Sequence, residues 1–151
     1  MKLEEALKST HFNSQKHKAG LNILYTAWWL KTLTSKELKK YGLTHEQYNV
    51  LRILKGKYPD QMCVRDIAGR IIERSSNVPR IIDRLEMKKL VKRTNSAADK
   101  RETVITLTEV GLNILRITTE DMNQAFAEKL GGTEEQASKL NDLLESFRQN
   151  G

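Results

Sequence analysis

The sequence predicts a mainly α-helical chain with one small β-hairpin, set between longer helices at either end. Three observations predict it. Apolar residues recur at intervals of three and four through most of the chain, as one face of a helix requires. The stretch Thr103 to Thr108 instead alternates and is rich in β-branched residues, the pattern of a strand. Thr44 with Gln47, and Thr133 with Gln136, have the spacing of capping boxes that open helices. A length of 151 residues is about that of one domain, and no repeat or Pro/Gly-rich linker divides it.

The first long helix is expected from about Asn13 to Lys40. It carries Leu21, Leu24 and Trp28 at helical spacing with Ile23, Ala27 and Leu30 beside them, and ends near Gly42. The second starts at the Thr44 cap, where Leu43 and Tyr48 occupy the positions of a hydrophobic staple, and runs through Val50, Leu51 and Leu54 to about Lys57. After the turn Tyr58-Pro59-Asp60, a short helix from Val64 to Ile71 turns Ile67, Ala68 and Ile71 inward, with Cys63 at its cap position. Ser75 or Ser76 begins the next helix; with Ser76 as cap, Pro79 falls at the third position, where its missing N–H breaks no intrahelical bond. Val78, Ile81, Ile82 and Leu85 then form a core face opposite Asn77, Arg80, Arg84 and Lys88.

The hairpin pairs Leu90–Thr94 with the run from Thr103, through a polar connection that ends in Lys100 and Arg101. Two strands alone are marginal, so the hairpin must pack on the helices. Beyond Thr108 a helix repeats Leu112, Leu115, Thr119, Met122 and Phe126 until Gly131-Gly132. A last one carries Ala137, Leu140, Leu144 and Phe147. Both seams suit either a helical dimer interface or packing back onto the chain's own first helix.

Charge narrows the function. The formal balance of +7 is uneven: residues 52–101 hold 14 Lys/Arg against 6 Asp/Glu, and the two flanks together are close to neutral. A positive field concentrated in one segment attracts a polyanion, and duplex phosphate is the commonest such partner. The single Cys63 excludes an intrachain disulfide, and with the scattered His11, His17 and His45 it offers no ligand set for zinc, so neither metal nor cofactor is expected. Paired carboxylates, a nucleophile with a base, and a phosphate-binding glycine loop are all missing, which argues against an enzyme. No apolar run is long enough to span a membrane, and the charged start Met1-Lys2-Leu3-Glu4-Glu5 is not a signal peptide, so the expectation is a cytoplasmic protein without a membrane partner.

Helix, short helix, basic-faced helix and basic hairpin, in that order, describe a winged helix-turn-helix. A helix fits the major groove and a basic hairpin reaches the neighbouring minor groove or backbone. Ser75, Ser76 and Asn77 can bond to bases or phosphates, Arg80 is long enough for bidentate contact with guanine, and Arg84 and Lys88 are placed for phosphates. A winged helix used only as a protein-interaction module is the rival reading. The basic face of Asn77, Arg80, Arg84 and Arg101 argues against it.

The run Leu43-Thr44-x-x-Gln47-x-x-Val50-Leu51 resembles the opening of the DNA-binding domain of MarR-type regulators, and Arg80-Ile81-Ile82-Asp83-Arg84-Leu85-Glu86 is similar to their recognition-helix signature. Asp99-Lys100-Arg101, then Val104 to Leu107 and Thr108-Glu109-x-Gly111, resembles their wing and its exit. The resemblance implies a winged-helix region at 43–111 and helical dimerisation regions at 1–42 and 112–151. It further implies a homodimeric repressor on a pseudo-palindromic operator, with Arg101 entering the minor groove and Asp99 bracing the wing by pairing with basic neighbours. It also implies a small effector, often aromatic or phenolic, bound between the dimerisation and DNA-binding parts; Tyr25, Trp28, Trp29, Tyr48 and Arg52 are the residues near such a pocket. Two positions depart from the pattern. Lys89 stands where glycine is usual, so it either takes a left-handed conformation or the turn differs, and Pro79 replaces a common threonine. Cys63, at a helix start near Arg65, leaves open an oxidant-sensing alternative.

Overall fold

The computed structural model describes residues 1–148. Helix α1 (Leu3–Leu7) precedes the long α2 (Gln15–Lys39), and α3 is His45–Lys57. They are followed by β1 (Met62–Cys63), α4 (Val64–Ala68), α5 (Val78–Met87), β2 (Val91–Asn95), β3 (Thr103–Leu107), α6 (Glu109–Lys129) and α7 (Glu134–Phe147). The three strands form one antiparallel sheet in the order β1-β3-β2. The fold is the mainly helical one with a hairpin wing that the sequence predicts, with α1 and β1 added. Each is too short for any period to show.

Local chemistry accounts for the joints. Helix α2 closes on Gly42 at φ 65°, while Leu43 N–H bonds to Leu38 C=O and Gly42 N–H to Lys39 C=O. Those are the two bonds of a Schellman stop, and Leu38 and Leu43 bury together beneath it. Thr44 and Gln47 form the expected capping box of α3, and the staple residues Leu43 and Tyr48 are both buried. Lys89 takes the left-handed conformation at φ 59° in place of glycine. The α5 stop it serves has the same two bonds, Leu90 N–H to Leu85 C=O and Lys89 N–H to Glu86 C=O. Burial of Leu85 and Leu90 offsets the strain of a side chain in that region.

Two helix boundaries differ from expectation. Helix α5 is capped by Asn77, not Ser75 or Ser76: its Oδ1 accepts the Arg80 N–H at 3.1 Å, and Pro79 falls in the first turn one place earlier than the Ser76 register puts it. Asparagine caps as well as serine does, so composition does not separate the registers. Helix α4 stops at Ala68, and Ile71 is buried from the following turn.

The core gathers Leu38, Leu51, Leu54, Ile67, Ile71, Ile82, Leu85 and Ile105, with Leu115 and Met122 of α6 closing one side. The two C-terminal seams therefore part company. That of α6 folds back onto α2 and α3. That of α7 stays open, with Leu140 at 54% and Phe147 at 56% exposure.

Candidate nucleic-acid interface

Helix α5 buries Val78, Ile82 and Leu85, which fixes the opposite face outward. Arg80 and Arg84 lie on that face, exposed, and their side chains have no protein partner among the described residues. Ser75 is exposed and Ser76 half-buried in the turn that leads into the helix. Asn77 spends its carbonyl oxygen on the cap, so its amide presents only N–H donors outward.

Lys88 is not free. Its ammonium donates to the Gly42 carbonyl and to Gln47 Oε1 at 3.0 Å, at the corner between α2 and α3. Partial desolvation and the nearby Arg84 hold its pKa below the usual lysine value. The Lys88 ammonium, expected from the sequence to face phosphate, is thus bonded within the chain.

The wing tip is organised by its own backbone. Ser96 Oγ accepts the N–H groups of Ala98 and Asp99, Ser96 N–H donates to Glu102 C=O at 2.8 Å, and Glu102 N–H returns to Asp99 C=O at 3.0 Å. Asp99 does brace this turn, though not by the expected ion pair: Oδ1 accepts the backbone N–H of Arg101 at 2.9 Å. The side chains of Lys100 and Arg101 are left exposed and unpaired among the described residues.

Arg93 on β2 joins wing to helix. Its guanidinium pairs with Asp83 of α5, and its N–H donates to Glu86 Oε2 at 3.2 Å. Sequence reasoning passed over it, although strand alternation places Arg93 on the same face as the buried Val91, towards α5. The wing is fixed at its other end by Thr108, whose hydroxyl donates to Lys89 C=O at 2.7 Å and accepts Gly111 N–H at 3.0 Å. Gly111 is needed because a Cβ there would collide with the Leu90 carbonyl.

Arg93, Arg74 (on the Ala68 and Gly69 carbonyls) and Lys88 are thus engaged internally, while Arg80, Arg84, Lys100 and Arg101 project from one helix and the adjoining wing. Unpaired cations on a helix and the adjoining hairpin present the positive charge that duplex phosphates attract.

Comparison with known proteins agrees. Residues 43–103 match the model of the MarR family. The HTH-type transcriptional regulator MgrA of Staphylococcus aureus is 30% identical over 111 residues, covering 74% of this chain and 74% of that protein. The chain belongs to the MarR family. It is a DNA-binding transcriptional regulator with a winged helix-turn-helix fold. Among solved MarR structures, Sco3205 of Streptomyces coelicolor in complex with DNA superposes with a TM-score of 0.79 at 21% identity, covering 93% of this chain and 91% of that one. CouR of Rhodococcus jostii bound to p-coumaroyl-CoA superposes with a TM-score of 0.75 at 21% identity, covering 93% and 98%.

A cleft of about 770 Å³ opens between α3 and α6, with Leu112 and Leu115 on its apolar side and Arg52, Lys55 and Arg116 among its polar walls. Tyr48 lies buried behind it, its hydroxyl 3.0 Å from Thr119 Oγ1, and Arg52 sits over its ring at 5.9 Å. The rings of Tyr25 and Trp28 meet at 5.5 Å on α2, tilted by 41°, and Trp28, 60% exposed, takes no part in lining this cleft; nor does Trp29. Cys63 makes no cap hydrogen bond. The Asp66 N–H favours its thiolate, but desolvation and the carboxyl groups of Asp66 and Glu102 outweigh it and push the thiol above its ordinary pKa. That is the wrong direction for an oxidant-sensing thiolate. No helix among the described residues is long and apolar enough to cross a membrane, and no cluster of His, Cys, Asp and Glu among them is set to hold a metal.

Proposed function

We propose that the regulator is a ligand-responsive repressor that acts as a homodimer on a pseudo-palindromic operator. In this reading α5 enters the major groove, with Asn77, Arg80 and the preceding Ser75 and Ser76 near base edges and phosphates. Arg84 and Lys100 contact phosphate, and Arg101 enters the minor groove. The observation that carries it is the set of unpaired cations at Arg80, Arg84, Lys100 and Arg101, which a module for binding other proteins has no reason to hold free. Residues 1–42 and 112–151 supply the dimerisation region, supported by the exposed apolar side chains of α2 and α7.

The α3–α6 cleft is the proposed effector site. Its apolar side suits a small aromatic molecule, with Arg52 and Lys55 placed for an acidic group while Arg116 pairs with Glu120 on the same wall. A molecule seated there touches α3, which packs on α5, and α6, which packs on α2. It is placed to change the angle between the DNA-binding and dimerisation parts.

The test is selection of duplexes from fragmented genomic DNA by the purified protein at two salt concentrations, followed by footprinting. A pseudo-palindrome with half-sites about one helical turn apart, bound more weakly as salt rises, is the expected result. Folded dimer that enriches no sequence at either salt overturns the reading.

A further inference from the structure

Helical spacing puts Lys88 one turn beyond Arg84, in line for phosphate, yet its ammonium is held by two oxygens elsewhere. Both belong to the α2–α3 corner. Gly42 is the left-handed residue that ends α2, and a side chain at that position would come within 4.0 Å of the Lys88 ammonium. Gln47 is buried, and the oxygen that accepts Lys88 also accepts the Thr44 N–H at 3.2 Å as part of the α3 cap. A side chain at the end of α5 is thereby tied to the end of the long helix through a shared acceptor. Swinging Lys88 out to a phosphate would remove a charged donor from both the Gly42 carbonyl and Gln47 Oε1.

We propose that Lys88 is a positioning residue for operator binding: its bonds to Gly42 and Gln47 set the angle of α5 against α2, and it makes no phosphate contact. The inference rests on the homodimeric DNA-binding reading above. With α2 as part of the dimer frame, that angle determines how far apart the two recognition helices lie, and hence which half-site spacing is preferred.

The full-length dimer and its Lys88→Met and Lys88→Arg variants are titrated, over a series of salt concentrations, into the selected duplex and into versions one base pair longer or shorter at the centre. A lost phosphate contact lowers the slope of log K against log salt by about 0.9, and by about twice that in a dimer. Lys88→Met is expected to keep the wild-type slope, to bind on the order of tenfold more weakly, and to discriminate less between spacings. Lys88→Arg, which keeps a charged donor, restores the preference. A slope reduced as for a phosphate contact, with spacing preference retained, overturns the proposal. So does a lower melting temperature with affinity and spacing preference unchanged, which marks a purely structural bond. A second measurement needs no DNA: in ¹⁵Nζ NMR of the lysine ammonium groups, the resonance missing from Lys88→Met is expected to exchange its protons with water more slowly than the solvated lysines do, because two protein oxygens hold it. Exchange as fast as that of the solvated lysines overturns the bond itself, whereas wild-type protein that passes this test and binds no duplex strikes only the DNA-binding reading.

Discussion

Between Leu43 and Leu107 most of the apolar side chains that the helical and strand periods turn inward are buried, Ala68 and Ile81 only in part: Val50, Leu51, Ile67, Ile82 and Ile105 are completely enclosed. In α2 and α7 the same kind of pattern leaves Leu24, Trp28, Leu140, Leu143 and Phe147 more than half exposed. Both regions have helix caps, stops and recurring apolar residues, although the apolar face is most sharply segregated in α5. They differ in what lies opposite. The winged segment folds three helices and a sheet around one centre, so each face finds its complement within the chain. The outer helices reach past that centre, and a face with no complement in its own chain is the kind that a second molecule covers.

This contrast can be broken at its joint. Gly111→Ala places a Cβ against the Leu90 carbonyl, where wing, α5 and α6 meet, and no flexible side chain can yield. A loss of about 3 kcal/mol in chemical denaturation is expected. A near-neutral effect would mean that the outer helices are not rigidly keyed to the winged core.

Charges placed in the two C-terminal seams separate folding from association. Leu115→Glu enters the core and should unfold the protein. Leu140→Glu sits on an exposed face, so circular dichroism should be unchanged while sedimentation shows monomer in place of dimer. Normal dimers in Leu140→Glu would remove α7 from the interface.

Arg80→Ala and Arg101→Ala should leave both regions folded and dimeric, and weaken operator binding by about 1–3 kcal/mol each in fluorescence anisotropy. Loss of the dimer in either variant would contradict the division between the regions. The smallest effects concern the wing's own attachment. Asp83→Asn breaks an exposed pair with Arg93 and should cost no more than about 1 kcal/mol in melting experiments. Lys89→Gly should raise stability by up to about 1 kcal/mol, because the left-handed residue no longer carries a Cβ. Destabilisation by that change would show that the Lys89 side chain supports the wing.

The caps at Thr44 and Thr133 and the stop at Gly42 were readable because each is decided by bonds within a few residues, and the β-hairpin because its second strand alternates and is rich in β-branched residues. The α5 cap was not, since Ser75, Ser76 and Asn77 are each competent and the same face of Val78 and Ile82 is buried whichever of them caps the helix. Likewise, the exposed positions of Arg80, Arg84 and Arg101 follow from period and turn, whereas Lys88 and Arg93 carry the same charge on the same elements and are bonded to other parts of the chain. Helical period places a side chain on a face; it does not say what lies within reach of a flexible four-carbon arm or a guanidinium.

What the sequence alone determined is therefore the longer elements, α1 and β1 excepted, their order and the buried face of the winged core, all products of short-range bonding and apolar spacing, together with the family that its motifs resemble. The tertiary structure decided the partners of Lys88 and Arg93, and which C-terminal seam folds inward. Those outcomes depend on atoms brought together from distant parts of the chain, as with Lys88 on Gly42 and Leu90 on Gly111, and packing in three dimensions selects them.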